Sequence, residues 1–191
     1  MRCLNSLALR FCLFLVCGAS LALLPGCSKQ AAECRQVEGL GGKIHLGVPG
    51  GWEEIPELHA SADIEVGNRE ADAYLLVVSE RKAILPKQSL EEYSEFTRAG
   101  LARSLDFPEQ LGPRRIKIGG LPALQYQIRA ISKSGQRLVY LHTSAESPEY
   151  FHQIVGWTRA ENFKRDEPVM KSITESFREG SAVSPGDAGA R

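Results

Sequence analysis

Beyond residue 34 this chain has no cysteine: Cys3, Cys12, Cys17, Cys27 and Cys34 all stand in its first part. The remainder therefore cannot hold a disulfide framework, a thiolate zinc site or a C-x-x-C redox centre. A phosphate-cradling G-x-x-x-x-G-K-[ST] loop, an H-E-x-x-H pair and a G-x-S-x-G elbow are missing too, and no cofactor is implied. Neither sign of charge dominates, with 23 basic against 23 acidic residues. A neutral chain has no general attraction to nucleic acid or to an anionic bilayer. Arg114, Arg115 and Lys117 form a local basic cluster, which a solvated strand face explains. The apolar run from Phe11 to Leu24 is short of the roughly 20 residues that a membrane-spanning helix needs.

What that run does have is context. Arg2 and Arg10 precede it, and a basic start before a short apolar run is the pattern of a secretory signal. It ends in Leu24-Pro25-Gly26-Cys27-Ser28. This resembles the lipobox of bacterial lipoproteins, with an aliphatic residue three before an obligatory cysteine and a small residue directly before it. Pro25 is a less usual middle residue. The resemblance implies a signal peptide over 1–26, cleavage between Gly26 and Cys27, diacylglycerol on the Cys27 sulfur and an acylated new amino terminus. Several acyl chains hold a protein firmly at a membrane where one holds it only marginally. Ser28 in place of an acidic residue resembles sorting to the outer membrane. The expected location is the cell envelope, lipid-anchored and facing the periplasm. Cys3, Cys12 and Cys17 would leave with the signal, so Cys34 remains as a free thiol, either idle or open to an intermolecular disulfide.

Composition divides the rest. Residues 27–42 mix small, polar and charged side chains and end in Gly39, Gly41 and Gly42, as a lipidated cysteine on a flexible tether would. Residues 179–191 are rich in Gly, Ala, Ser and Pro and read as a disordered tail. Residues 43–178 suit one domain, able to bury about two-thirds of its unfolded surface without metal or disulfide.

Inside that domain the pattern is mostly alternation. Ile44, Leu46 and Val48 share one face of a strand that Pro49-Gly50-Gly51 ends before Trp52. Ile64 and Val66 suggest a second strand, and the almost wholly apolar Tyr74–Ser79 a central one covered on both faces. Ser89-Leu90-Glu91-Glu92 has capping-box spacing. The helix it opens should bury Leu90, Tyr93, Phe96, Leu101 and Leu105 in one stripe and stop at Pro108. Strands follow over 115–118, 124–130, 137–143 and 150–157, parted by Gly119-Gly120, Ser134-Gly135 and Glu146-Ser147-Pro148. A closing helix should begin near Asp166, with Pro168 in its first turn and Val169, Ile173 and Phe177 on one side. Short hairpin links argue against a parallel, doubly wound sheet. The reading is α+β: an antiparallel sheet packed by helices.

The order of these segments carries a resemblance. Pro49-Gly50-Gly51-Trp52, the strand Tyr74–Ser79, the helix start at Ser89, Ile118-Gly119-Gly120-Leu121-Pro122-Ala123 and the closing Ile173-Thr174-Glu175-Ser176-Phe177 follow one another. Together they look like the PsbP-like superfamily, in particular DcrB-like bacterial lipoproteins of unknown function. The likeness covers nearly all of residues 43–178 and implies a curved antiparallel sheet between helices, an α/β/α sandwich. It implies no single activity, though known members lean toward binding and assembly.

Two features remain as candidate sites. Centring the last hairpin on Ser147 would set His142 against His152, with Cβ atoms about 5 Å apart. Two imidazoles fall short of the three or four ligands zinc takes, so the pair is a weak metal candidate beside the plainer reading of two sheet residues. Among Trp52, Trp157, Tyr126, Tyr140, Tyr150 and Phe151, several would fill the core and others would line a cleft. Trp52, next to the Gly-rich turn, is the candidate partner contact. The acidic face Glu91, Glu92 and Glu95 reads as solvated helix exterior. The functional expectation is a non-enzymatic binding or assembly module with another envelope protein as partner. The alternative is a carrier for a small apolar ligand.

Overall fold

A computed structural model describes residues 34–180. The signal, the Gly26–Cys27 cleavage site and lipidation at Cys27 lie outside the described residues, as do residues 181–191. In chain order the elements are β1 (Arg35–Gly39), β2 (Ile44–Val48), β3 (Glu53–Glu54), β4 (Ile64–Asn68) and β5 (Ala73–Arg81). Then come α1 (Leu90–Arg103), β6 (Asp106–Ile118), β7 (Leu121–Ile131), β8 (Arg137–Glu146), β9 (Tyr150–Arg159), α2 (Phe163–Glu175) and β10 (Arg178–Glu179).

Seven strands form one antiparallel sheet in the order β3-β4-β5-β9-β8-β7-β6, and β1-β2-β10 form a small second sheet. The path explains the cover. From β5 the chain passes through α1 to the far edge, and the meander β6 to β9 returns until β9 pairs with β5. Tight turns make the meander possible. Gly119 and Gly120 join Ile118 to its partner Leu121 at φ 56° and 83°, and left-handed backbone at both central positions matches the twist of the strands they connect. A Cβ on Gly119 would also come within 2.6 Å of the Phe177 carbonyl oxygen.

Side chains alternate along the central strands between two layers. Leu75, Val77, Leu141, Ala145 and Ile154 pack with Met170 and Ile173 of α2, with Ile44 and Leu46 of β2, and with Phe177. Leu76, Tyr140 and Val155 face the other way and meet Leu101 and Leu105, while Leu124 and Phe151 meet Leu90 and Tyr93 of α1. The sheet is thus held between helices, as the resemblance implies. The Ser89 capping box forms as its spacing predicts: the Ser89 hydroxyl accepts from Glu92 N at 3.2 Å and the Glu92 carboxylate accepts from Ser89 N at 2.8 Å.

Several expectations are corrected. Part of the supposed tether is a strand: Arg35–Gly39 pairs with β2, and Val37 opposite Leu46 is buried. Glu179, assigned to the tail, joins β10. Helix α1 ends at Arg103, and the chain re-enters the sheet at Asp106, so Pro108 and Pro113 lie inside β6. Prolines are tolerated there because β6 is the outermost strand, with one edge unpaired among the described residues. The closing helix begins at Phe163, which puts Pro168 within it instead of in its first turn.

Candidate functional site

The histidine pair does not form. Ser147 N donates to the Tyr150 carbonyl, so Pro148-Glu149 is the turn and Glu146 pairs with Phe151. That register sets His142 opposite Val155 and His152 opposite Ala145. Because the offset is an odd number of residues, the two imidazoles project from opposite faces of the sheet. The metal reading fails on that geometry.

His152 lies in the sealed layer. Its Nδ1 is 3.0 Å from Ser79 Oγ, its Nε2 is 3.4 Å from Glu179 Oε1, and Phe177 packs on the ring. Burial lowers its basicity, with Glu179 opposing that shift. A serine, a histidine and a carboxylate in line resemble a hydrolytic triad in composition only. The ring is wholly buried, and Ser79 N is already committed to the Asp63 carboxylate at 2.7 Å. The contact ties β10 to the large sheet.

Trp52 is also a core residue. It is 8% exposed and packs in the layer beneath α2, with what remains of its surface lining a small cavity beside Asn68, Arg165 and Val169. Tyr150 and Phe151 are buried as well. On the other face Trp157 is half-buried, with Tyr140 packed beside it.

There α1 covers β6 to β9 but stops short of β5. The result is a cleft of about 710 Å³. Its floor is Leu76 and Val78 of β5, Val155 and Trp157 of β9, and Tyr140 and His142 of β8. One wall is the exposed side of α1, from Phe96 to Ser104, and the other is the loop carrying His59 and Ser61. Tyr74, Trp157 and Tyr140 form an aromatic ladder across three strands, with ring centroids 5.5 and 6.2 Å apart. At the opposite end Tyr93 stacks on Phe151 at 4.4 Å and its hydroxyl donates to Glu80 at 2.6 Å. Burial pushes the Tyr93 phenol well above its usual range, so it stays a donor. Phe96, expected in the buried stripe, stands 69% exposed at the mouth.

His142 is the singular group in this floor. It is wholly buried, and neither ring nitrogen has a hydrogen-bond partner among the described residues. Burial, assisted by the nearby Arg98 charge, pushes its pKa down to about 4. The Gln153 amide approaches without reaching hydrogen-bond geometry and opposes that shift by more than the Arg98 charge adds to it. The ring is therefore neutral at physiological pH, with one donor nitrogen and one acceptor nitrogen. Ser144 Oγ and Arg98 Nε are also buried without partners. Arg98 is otherwise engaged, paired with Glu95 and laid 4.6 Å over the Tyr126 ring.

Sequence reading put Trp157 and Tyr140 among possible cleft residues but singled out Trp52. The sharper signal was Gly100, a helix-weakening residue in α1. It borders the cleft, and a Cβ there would meet only the flexible Arg103 guanidinium, at 3.9 Å.

No protein-family model matches the sequence, and a comparison with curated proteins finds no match. Solved structures do match. LpqN of Mycobacterium tuberculosis, described as involved in cell envelope biogenesis, superposes with a TM-score of 0.58 at 15% identity, over 78% of this chain and 91% of LpqN. The PsbP protein of Synechocystis gives 0.56 at 10% identity, over 80% and 96%. The Ran-binding protein Mog1p of Saccharomyces cerevisiae gives 0.56 at 14% identity, over 79% and 97%. At these identities the likeness concerns the fold, and the chain has the PsbP-like α/β sandwich fold.

Proposed function

We propose that this chain is a non-enzymatic binding module of the bacterial envelope, lipid-anchored at Cys27, that takes an apolar group into the cleft between α1 and the sheet. The cleft carries the reading: a volume of about 710 Å³ floored by Leu76, Val78, Val155, Tyr140 and Trp157 matches the size and lining of small-ligand sites. His142 of its floor makes no contact with a nucleophile among the described residues, which suits holding a ligand better than acyl transfer. Anchoring would raise the effective concentration of the module beside membrane components. The lipobox supports the location, as does the part LpqN, a protein of the same fold, takes in envelope biogenesis.

Native mass spectrometry of the full chain purified from envelopes tests this. A discrete added mass should accompany the wild type and be lost in Gly100→Trp, whose indole would occupy the cleft. A clean spectrum for both would contradict it.

A second reading, assembly onto another envelope protein, is favoured by one observation. Phe107 and Leu111 are exposed on β6, the outermost strand of the sheet. Double replacement by Ser should then release a co-purifying protein, whereas the small-ligand reading expects no change.

A further inference from the structure

The polar chemistry of the cleft narrows what it takes. We infer that its ligand is an uncharged apolar molecule carrying a hydroxyl or amide, with its hydrocarbon body along Leu76, Val155 and Trp157 and its polar group on His142. This inference rests on the cleft being the binding site.

Three observations converge on it. First, both ring nitrogens of His142 are buried without partners, although the side chain lines a cavity. Buried polar groups in native proteins are nearly always satisfied, and an orphan costs stability unless something else completes it. Water and a ligand hydroxyl can both do so, but only the ligand also covers the apolar floor. Second, the ring stays neutral because burial and the Arg98 charge disfavour its protonated form. A neutral imidazole pairs one donor and one acceptor with a group that is itself both, which describes a hydroxyl or an amide. A carboxylate only accepts, and its charge would enter an apolar enclosure without a counterion on the floor. Third, the cation nearest His142 is already engaged. Arg98 is held by Glu95 and the Tyr126 ring, while Glu80 lines the cleft and Arg103 stands exposed at the last residue of α1 on its wall. The other neighbours facing the ring from β5, β7, β8, β9 and α1 are Val78, Tyr126, Tyr140, Gln153, Val155 and Thr97, all uncharged.

Binding of diphenylhexatriene, a hydrocarbon that fluoresces only in apolar surroundings, tests this on the full chain. Wild type should bind it, and Gly100→Trp should not; Gly100→Leu serves if the larger residue unfolds the protein. Decanol should displace the probe at concentrations about tenfold lower than decanoate does. His142→Leu should weaken displacement by decanol about tenfold, the worth of one buried hydrogen bond. Decanoate matching decanol, or decanol indifferent to His142→Leu, would overturn the ligand class while leaving the cleft as the site. No probe binding, or binding indifferent to Gly100→Trp, would overturn the cleft itself.

Discussion

The two faces of the large sheet are closed to different degrees. One is roofed by α2 and the small β1-β2-β10 sheet, and its floor residues Leu75, Val77 and Ile154 are wholly buried. The other has only α1, which covers β6 to β9 and leaves the β5 side open. Each histidine of the last hairpin samples one of these environments. His152 has Ser79 and Glu179 as neighbours and serves as a tie. His142 has no hydrogen-bond partner among the described residues and borders a cavity. The same sheet therefore closes one side with packed layers and leaves an open cleft over the other, with a buried, unsatisfied imidazole in the cleft floor.

Adjacent residues of β5 test the difference most strongly. Leu75→Ala, in the sealed layer, should cost about 4 kcal/mol, and Leu76→Ala, at the cleft floor, about 2 kcal/mol, because a site already beside empty space gains little new cavity. Urea denaturation of both variants checks this, and equal losses would break the contrast.

The next effect is pH dependence. His142 has a folded pKa near 4 against an ordinary 6.5, so the unfolded chain binds a proton that the folded chain refuses. Its contribution is fully present above about pH 6.5, declines as pH falls toward 4, and levels off below. The loss is on the order of 3 kcal/mol. His142→Leu should remove that slope, read as the difference between variant and wild-type urea midpoints across the same range.

At neutral pH His142→Leu should itself stabilise by about 1 kcal/mol, since it replaces an unsatisfied polar group with an apolar one. A loss of stability would mean that the imidazole is satisfied within the fold. Smallest is Gly100→Ala, which should gain just under about 1 kcal/mol of helix stability while narrowing the cleft, so its melting temperature should rise as probe binding weakens.

Local signals in the sequence translated faithfully into structure. The Ser89 capping box needs only residues within one turn, and the alternation of Ile44, Leu46 and Val48 needs only one buried face. Features that depend on a partner were less legible. β1 carries a single buried aliphatic residue, Val37, and becomes a strand because β2 supplies its hydrogen bonds. Phe96 has helical spacing with Tyr93, yet α1 does not cover the sheet on that side. The relation of His142 to His152 hinged on whether Ser147 was the centre of the turn or its first residue, and that choice reverses the face. The cleft belongs to this second group, since it arises from where α1 stops relative to β5.

The most direct measurement places a photo-cross-linking amino acid at Thr97, on the cleft wall, or at Glu175, exposed on α2 across the sheet, in the full chain within its native envelope. The account predicts a defined adduct from position 97, lost in Gly100→Trp and reduced in Cys27→Ser, and none from position 175. Equal adducts from both positions, or an adduct from 175 alone, would contradict it.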